Sequence, residues 1–517
     1  MTTHTATPGP ARTRISLLRV GIVLLCTALL GWSGAQAISA VITTPRTPGP
    51  SVFAAYVDVT ATPTNPFETP SGPAQSNVIL SFVVAGPDNH CAATWGGAYT
   101  LDQAASHLDL DRRISQLRLV GGQASVSFGG QAGTELSSKC TDPVALREAY
   151  QSVIDRYELT SINLDLEGAS LEDTAAVARR AAAIKDVQDH ARTDRRSLAV
   201  WLTLPVSPTG LTPPGASVVA GMLSAGVDLA GVNGMTMDFG TVDTPTQPLS
   251  AVVIQASTAL HTQVSTAFAQ AGQPLDNGQA WAKIGIIPMI GQNDVVSEQF
   301  TLADAAVVNQ FARAHGVGHL SMWSLNRDST CGPPLPSVLP VVQTSCSGID
   351  QGAQHFANVL AANLVSPSIS VLPSSSGHGR TATPSPTPGT VDNPADSPFP
   401  IWDSLGRYPA GTKIVWHHQV FNARYWTTGF TPDTWVANAK DSPWTLVGPV
   451  LPGDTPAPMP TLPAGTYPQW NPTQAYIAGS RVQLGLVPYE AKWWSQKQEP
   501  GQSLAGGTPW LLVLPGT

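Results

Sequence analysis

The fold of this chain is decided by one stretch, residues 161–168, with the sequence Ser-Ile-Asn-Leu-Asp-Leu-Glu-Gly. Polar and aliphatic residues alternate along it, which is the two-residue period of a β-strand. Asn163, Asp165 and Glu167 therefore project from one face. Removing two carboxylates from water costs free energy, so such groups are rarely gathered in a crowded space for stability alone. The stretch indicates a functional site, and an edge strand with a solvated polar face is the alternative.

The sequence around this strand alternates between short β-branched runs and amphipathic runs. The strand candidates are Phe53–Val59, Val78–Ala85, Ala124–Phe128, Ser161–Glu167, Leu198–Leu204, Gly231–Met237, Lys283–Met289 and His319–Ser324. The helix candidates are Pro143–Tyr157, Leu171–Arg192, Ala216–Ala225, Pro248–Ala271, Leu302–His315 and Gln351–Leu364. Eight strands interleaved with helices over roughly 300 residues are typical of a (β/α)8 TIM barrel in the α/β class. A doubly wound open sheet is the alternative, but no glycine-rich phosphate loop follows a strand.

Polar and aromatic residues cluster where the predicted strands end. In strand order they are Tyr56 and Asp58, Ser127, Asp165 and Glu167, Met237 and Asp238, Gln292 and Asn293, and Trp323 with Asn326. Because active sites of such barrels form at the C-terminal ends of the strands, these residues are expected to surround one rim. Trp95 lies outside this set and is expected to cap a loop or to line a subsite.

The composition changes after the predicted barrel, residues 50–365. Residues 366–396 are rich in Ser, Pro, Thr and Gly, as expected of an extended linker, and residues 450–465 form a second Pro-rich spacer. Residues 397–449 (the first repeat) and residues 466–514 (the second repeat) match each other in order and spacing. Each repeat is short and lacks cysteine, so we expect two small all-β units built on packed aromatic residues, with Trp444, Trp470 and Trp510 in their cores.

The N-terminus and the cysteines are typical of an exported protein. Arginines precede the apolar run 20–32, and Ala-Gln-Ala at residues 35–37 offers a cleavage site, so residues 1–37 are interpreted as a signal peptide, with a signal anchor as the alternative. Four cysteines remain after such cleavage, and local closure favours the pairs Cys91–Cys140 and Cys331–Cys346. A metal site is the rival interpretation, but there is no C-x-x-C pair.

Size and charge narrow the classes of partner. The chain has 517 residues, more than one core usually serves, so two or more domains are expected. The net charge is −8 and no basic run occurs, which argues against a nucleic-acid partner. No membrane association is expected once the signal segment is removed, and no cofactor or metal is expected. A secreted monomer is the expectation.

Residues 163–167 resemble the end of the D-x-x-D-x-D-x-E signature of glycoside hydrolase family 18, the chitinases. Residues 127–130, Ser-Phe-Gly-Gly, are similar to the S-x-G-G element of that family, and residues 235–238, Met-Thr-Met-Asp, resemble its M-x-Y-D element. Trp323 falls where the last strand supplies an aromatic floor. The resemblance covers about 300 residues in the order that the barrel requires.

The resemblance implies a role for each rim residue. Glu167 would be the general acid and then the base, Asp165 would orient the acetamido group of the substrate, and Asp238 would hold its reacting oxygen. Two carboxylates so close should also keep Glu167 protonated near neutral pH. Further residues of the substrate-binding site are expected to be Asn163, Ser127, Tyr56, Met237, Gln292, Asn293 and Trp323. Of these, Ser127 and Asn293 are expected to support the site more than to contact the substrate.

The chain departs from the family signature at three positions. Thr160 and Asn163 stand where the family has Asp, and Met237 stands where it has Tyr. Asn163 can still form a hydrogen bond with Asp165 but cannot share a proton with it. We expect these changes to alter the rate and the pH profile without abolishing activity.

The second repeat carries Ala-Lys-Trp-Trp-Ser-Gln at residues 491–496, which is similar to the A-K-W-W-T-Q signature of chitin-binding modules of carbohydrate-binding families 5 and 12. Residues 423–427 of the first repeat are a diverged copy. Exposed aromatic faces stack on the apolar faces of sugar rings. The resemblance implies binding by Tyr467, Trp493 and Trp494, with Tyr425, Trp426 and Trp402 in the first repeat.

These observations predict a secreted chitinase that cleaves β-1,4 bonds between N-acetylglucosamine units with retention, using the acetamido group of the substrate as nucleophile. A lectin-like chitin-binding protein without catalysis is one alternative. An endo-β-N-acetylglucosaminidase acting on another glycan is the other. The expected partner is chitin or another N-acetylglucosamine polymer.

Overall fold

The computed structural model describes residues 51–240, 247–364, 392–394, 397–436, 441–456, 458–501 and 508–514, all within one structural unit, Pro50–Thr517. The predicted signal segment and all but three residues of the predicted linker lie outside the described residues. Among the helices that are described, none is both long enough and apolar enough to cross a bilayer.

The first 14 strands belong to the N-terminal domain. In chain order they are β1 (Val52–Phe53), β2 (Ala55–Asp58), β3 (Asn77–Ala85), β4 (Ala93–Trp95), β5 (Tyr99–Thr100), β6 (Gln123–Gly129), β7 (Ser161–Asp165), β8 (Ala199–Ser207), β9 (Gly210–Leu211), β10 (Leu229–Met235), β11 (Ile284–Ile287), β12 (Gly291–Gln292), β13 (Gln299–Phe300) and β14 (His319–Leu320).

A closed parallel barrel is formed by β1 with β2 and by β3, β6, β7, β8, β10, β11 and β14. The last strand returns to the first, since Val52 lies opposite His319. β1 and β2 occupy one barrel position, because the backbone N–H groups of Ala54 and Tyr56 continue the pairing with residues 320 and 322. The predicted eight-stranded barrel is confirmed.

Alternation along β7 separates two environments. Ile162 and Leu164 point outward and are fully buried against the helices, where each aliphatic side chain contributes about 1.5–3 kcal/mol relative to exposure. Asn163 and Asp165 point into the barrel and are also buried. The barrel interior is therefore polar beneath the rim, so its side chains need hydrogen-bond partners.

Eleven helices are described in the same domain. They are α1 (Leu101–His107), α2 (Leu110–Leu119), α3 (Leu136–Lys139), α4 (Pro143–Arg156), α5 (Ala169–Glu172), α6 (Thr174–Thr193), α7 (Pro213–Ser224), α8 (Leu249–Gln270), α9 (Asn277–Ala282), α10 (Leu302–His315) and α11 (Phe356–Leu360).

Helix ends follow local capping chemistry. Asp142 accepts a hydrogen bond from the backbone of Ala145 at 2.8 Å, with Pro143 in the first turn of α4. Thr301 and Asp304 form a capping box at the start of α10. The predicted single helix over 171–192 is wrong at its start, because Asp173 caps α6 and separates it from α5.

The C-terminal repeats have matching sheets. The strands of the first repeat are β15 (Arg407–Tyr408), β16 (Lys413–Trp416), β17 (Gln419–Ala423), β18 (Thr427–Thr428) and β19 (Trp444–Pro449). Those of the second are β20 (Ala475–Tyr476), β21 (Arg481–Leu484), β22 (Val487–Ala491), β23 (Ser495–Gln496) and β24 (Trp510–Leu512). Each repeat has a three-stranded and a two-stranded antiparallel sheet. Trp444 and Trp510 lie in the cores as predicted, whereas Trp470 is only half buried at the edge of its core.

Candidate active site

Asp165 and Glu167 lie at the C-terminal end of β7, but only Asp165 belongs to the strand. The predicted strand to residue 167 is too long, since the backbone turns at Gly168, which has φ 51° and ψ −129°. The Ser170 hydroxyl accepts a hydrogen bond from the backbone N–H of Glu167 at 3.0 Å and stabilises this turn. Glu167 is therefore carried by a short loop directly above the buried Asp165.

The two carboxyl groups titrate as a pair. Burial raises the pKa of Asp165 well above its usual range, and the neighbouring Glu167 raises it further through its charge and a hydrogen bond. Burial also raises the pKa of Glu167, the hydrogen bond with Asp165 opposes that rise, and the charge of Asp238 adds to it. The pair therefore retains a proton at a pH where an exposed carboxyl would have lost it.

The pair opens into a cavity of about 110 Å³. Its lining residues are Tyr56, Phe82, Gln131, Asp165, Glu167, Thr203, Met235, Met237, Asp238, Ile287, Met289, Asp294 and Trp323. Trp323 stacks on Phe82 with ring centroids 5.4 Å apart, and its edge approaches Tyr56 at 5.9 Å. The cavity thus has aromatic side chains on one side and carboxylates on the other. Such a cavity suits a sugar ring, which has apolar faces and polar edges.

Asp238 is held in an unusual backbone conformation on the opposite side of the cavity. Its φ is 50°, in the left-handed region, and its carboxylate accepts a hydrogen bond from the backbone of Val295 at 3.0 Å. The side-chain oxygen of Asn293 accepts a hydrogen bond from the Asp238 backbone at 3.4 Å. Burial raises the pKa of Asp238 despite the Val295 hydrogen bond.

A hydrogen-bonded chain of side chains fills the barrel beneath the cavity. The Tyr56 hydroxyl lies 3.0 Å from Oγ1 of Thr203, which accepts a hydrogen bond from Nδ2 of Asn233 at 3.0 Å. The same Nδ2 donates to Oδ1 of Asn163 at 3.1 Å, and Oδ1 of Asn233 lies 2.9 Å from Nδ1 of His319. All five side chains are buried. This series of hydrogen-bonded side chains ends at a second cavity, of about 220 Å³, at the opposite end of the barrel.

Four of the predicted substrate contacts do not line the active-site cavity. Asn163 belongs to the chain of side chains below it, and Ser127 is buried beside the Tyr56 hydroxyl. The Gln292 amide donates only to backbone carbonyls of its own loop, and Asn293 supports Asp238. Asn163, Gln292 and Asn293 already form hydrogen bonds within the protein, and the buried Ser127 hydroxyl lies beside Tyr56, so these side chains support the site instead of lining its cavity.

Several lining residues carry no sequence signal of their own. Phe82, Thr203 and Met289 lie within ordinary strand patterns, and Gln131 follows the two glycines at the end of β6. Their role depends on which barrel strands become neighbours. Trp95 was expected in a loop or a subsite, and that expectation is wrong: it lies on β4, is fully buried and donates to the Tyr157 hydroxyl at 3.0 Å.

Both predicted disulfide bonds are confirmed, Cys91–Cys140 and Cys331–Cys346. The first ties the loop after β3 to the end of α3, and the second closes a loop after β14. Within the described part of the chain, no group of three or more His, Cys, Asp or Glu side chains is arranged to hold a metal ion.

The aromatic motifs of the repeats lie on the surface. Trp494 is 60% exposed and Trp426 is 56% exposed, with Trp493 and Tyr425 also about half exposed. Tyr467 is only partly exposed, and its hydroxyl accepts a hydrogen bond from Arg481 at 3.0 Å. Trp402 packs against the core of the first repeat. Another exposed aromatic residue of the first repeat, Trp435, lies outside the recognised motif and is 84% exposed.

Comparisons with known proteins agree on one class of enzyme. No family model matches the chain. The chain is 34% identical over 303 residues to the probable bifunctional chitinase/lysozyme of Escherichia coli (strain K12), covering 56% of this chain and 33% of that protein. It is 33% identical over 313 residues to Endochitinase 11 of Metarhizium anisopliae, covering 58% of this chain and 56% of that protein. The chain thus spans from a third to just over half of the length of these curated relatives.

A solved structure matches the barrel over its length. The catalytic domain of a hyperthermophilic chitinase from Pyrococcus furiosus is 26% identical with a TM-score of 0.51, covering 60% of this chain and 94% of that domain. Structures of catalytic-site mutants of active domain 2 of the chitinase from the same organism match with a TM-score of 0.50. The barrel of this chain is similar in sequence and fold to the catalytic domains of chitinases.

Proposed function

We propose that this protein is a secreted chitinase of glycoside hydrolase family 18 that hydrolyses β-1,4 bonds between N-acetylglucosamine units. The observation that carries the proposal is the proton-sharing pair of Asp165 and Glu167, which faces Asp238 and the aromatic wall of Trp323 across one cavity. The similarity to chitinase catalytic domains supports the substrate class.

The proposed first step breaks the glycosidic bond with help from the substrate. The carbonyl oxygen of the acetamido group attacks the anomeric carbon while Glu167 donates its proton to the leaving oxygen. The products of this step are a sugar with a free hydroxyl and a cyclic oxazolinium ion. The raised pKa of Glu167 suits it to hold the proton that this step consumes.

Asp165 and Asp238 would support the charge that develops. When Glu167 holds the proton that the pair retains, the buried Asp165 is ionised and would accept a hydrogen bond from the acetamido N–H and stabilise the positive oxazolinium ion. Asp238, with a raised pKa, would donate a hydrogen bond to the acetamido oxygen when it is protonated. In the second step Glu167 takes a proton from water, whose oxygen bonds to the anomeric carbon as the bond from that carbon to the acetamido oxygen breaks, which restores the acetamido group and the original configuration.

The repeats would hold the enzyme on insoluble polymer. Exposed pairs at residues 425–426 and 493–494 offer aromatic faces for stacking on sugar rings. Two disulfide bonds are consistent with an oxidising extracellular compartment. Chitin in this proposal is both the substrate of the barrel and the ligand of the repeats.

The test is hydrolysis of colloidal chitin by Glu167→Gln, which keeps the shape of the side chain and removes its ionisable proton. Loss of general acid–base catalysis is expected to lower kcat by about 10²–10⁴-fold. Glu148→Gln, an exposed change on α4, is the matched control and is expected to behave as wild type. Equal release of reducing ends by wild type and Glu167→Gln would sink the proposal. Binding without hydrolysis by wild type would favour the lectin, and cleavage of N-glycans alone would favour the endo-β-N-acetylglucosaminidase.

A further inference from the structure

The two repeats differ in sequence at the positions where they contact each other. Residues 399–432 align with residues 467–500 without a gap. The strand registers also agree, since Lys413 lies opposite Asn422 and Arg481 lies opposite Glu490 at corresponding places. Differences between the copies can therefore be examined position by position in the same fold.

Two ion pairs join the repeats. Nζ of Lys492 in the second repeat lies 2.7 Å from Oδ2 of Asp403 in the first. Arg407 of the first repeat makes two hydrogen bonds of 3.2 Å to the carboxylate of Glu490 in the second. Such forked contacts fix orientation as well as distance.

The residues at the corresponding positions of the other repeat cannot form these two ion pairs. Asp403 corresponds to Asn471, Arg407 to Ala475 and Glu490 to Asn422. Lys492 corresponds to Arg424, which instead donates to the Thr445 hydroxyl within its own repeat at 2.6 Å. The contacts can therefore form in one order only, with the first repeat presenting Asp403 and Arg407 to the second.

The first repeat uses another diverged position to contact the barrel. Arg481 pairs with Glu490 across its own sheet at 3.0 Å, but the corresponding Lys413 faces the neutral Asn422. Nζ of Lys413 lies instead 2.6 Å from Oδ2 of Asp109, which precedes α2.

A second contact with the barrel involves α2 itself. Arg112 on this helix makes hydrogen bonds of 3.0 and 3.2 Å to Asp454, which follows β19. Gly448 on β19 has φ +148°, and a Cβ atom there would lie 2.7 Å from the Arg112 carbonyl oxygen. Strand and helix thus approach so closely that a side chain at residue 448 would collide.

At least one side chain of each pair is largely protected from water, whereas fully exposed surface pairs contribute little. Arg407 itself is 42% exposed. The side chains of Lys492 and Arg112 are each 8% exposed, and that of Glu490 is 12% exposed. Leu514, at the end of the second repeat, packs against the apolar cluster of the first. Apolar burial and forked ion pairs together favour one relative arrangement.

We propose that the two repeats form one rigid platform with two binding faces, docked on α2 of the barrel through the first repeat. The interface reaches the aromatic motif itself, because Lys492 is held by Asp403 and lies 4.9 Å from the centre of the Trp493 ring. The ligand of this platform is a flat and repetitive N-acetylglucosamine polymer. The choice of this ligand rests on the proposed function. A fixed spacing between two weak sites raises the effective concentration at the second site when it matches the repeat of the polymer.

The test measures the distance between the repeats without any ligand. Nitroxide labels are placed on the exposed residues Thr428 and Gln474 through cysteine substitutions in the full chain, with Cys26→Ser. The wild-type interface is expected to give one narrow distance distribution. The double variant D403N/R407A, which carries the residues of the second repeat at those positions, is expected to give a broad one.

Three further variants test the interpretation. The charge reversal D403K should broaden the distribution, and adding K492D should narrow it again, which a folding defect would not do. Lys497→Gly introduces the residue that the first repeat has at the corresponding position, and Lys497 has no salt bridge within the described chain, so the distribution should stay narrow. A broad distribution in the wild-type background, or an unchanged one in D403N/R407A, would overturn the platform.

The same proteins are then mixed with chitin particles. Weaker binding by D403N/R407A than by Lys497→Gly supports the platform as a two-site binder of this polymer. A narrow wild-type distribution without any chitin binding would overturn the assigned ligand and the role of the repeats in the proposed function, while the rigid interface would stand. The two failures are therefore distinguishable.

Discussion

The Tyr56 hydroxyl lies 3.0 Å from Oγ1 of Thr203, inside the barrel and beneath the carboxyl pair of the rim. Thr203 also accepts a hydrogen bond from Asn233, whose amide in turn contacts Asn163 and His319. The catalytic end of the barrel is thus connected to its opposite end by neutral hydrogen-bonding side chains. Burial, with the nearby Asp165 charge, raises the pKa of Tyr56 well above its usual range, so this hydroxyl keeps its proton.

Thr203→Val is expected to slow hydrolysis and destabilise the fold. Valine has the same shape but leaves the Tyr56 hydroxyl and the Asn233 amide without their shared partner, at a cost of about 1–3 kcal/mol. Because Tyr56 lines the cavity beside Asp165, kcat should fall more than KM rises. Thr203→Ser retains the hydroxyl and is the matched control. Equal kcat values for Val and Ser would argue against a positioning role.

Asp165→Asn is expected to slow hydrolysis while removing a source of instability at neutral pH. The pKa of Asp165 is raised in the folded state, so the folded protein binds more protons than the unfolded chain above pH 3.8. The contribution of this group to the free energy of unfolding therefore decreases as pH rises. Urea unfolding at pH 5 and pH 8 should show a smaller decrease in Asp165→Asn than in wild type. Asp186→Asn, an exposed change on α6, should retain the wild-type difference.

The ionisation of His319 is expected to change the free energy of unfolding with pH in the opposite direction to that of Asp165. Burial lowers its pKa from the ordinary 6.5 to about 4, so between these values the unfolded chain binds the extra proton. The contribution of His319 to the free energy of unfolding should decrease as pH falls from 6.5 towards 4, by up to about 1.4 kcal/mol per pH unit. His319→Gln cannot titrate and should weaken that dependence, whatever its stability at pH 7. An unchanged pH dependence would show that His319 is accessible to protons in the folded state.

Trp494→Ala and Trp426→Ala are expected to weaken binding to chitin particles and to leave hydrolysis of soluble oligomers unchanged. Loss of one stacking contact should cost about 0.5–1.5 kcal/mol, or roughly two- to tenfold in Kd. Ile477→Ala removes an exposed aliphatic side chain, 70% accessible, from the second repeat and is the control. Binding that is equally strong in all three variants would exclude these tryptophans as sugar contacts.

Strand order and strand position followed from periodicity, but several element ends did not. The run 302–315 was predicted to the residue because Thr301, Asp304 and Gly316 mark both ends of α10. The end of β7 was missed because alternation continues through Leu166 while the backbone turns at Gly168. Residues 86–122, for which no element is predicted, form β4, β5, α1 and α2, and the i, i+4, i+7 spacing of Leu110, Ile114 and Leu117 is a helical signal that identifies α2.

What the sequence by itself determined is the chemistry of the rim. Alternation placed Asp165 inside the barrel, motif order placed Glu167 and Asp238 near it, and an even number of cysteines with local closure predicted both disulfides. These features depend on local periodicity and on short loops, which the chain specifies nearby.

Only the tertiary structure decided which polar side chains face the cavity and which support it. Phe82 meets Trp323, and Thr203 meets Tyr56, across barrel strands that are far apart in the sequence. The same holds for the pairs Asp403–Lys492 and Arg112–Asp454. Such contacts are set by strand register and by the meeting of separate domains, and neither is encoded in a local pattern, so the shape of the site and the arrangement of the repeats emerge only when the chain is folded.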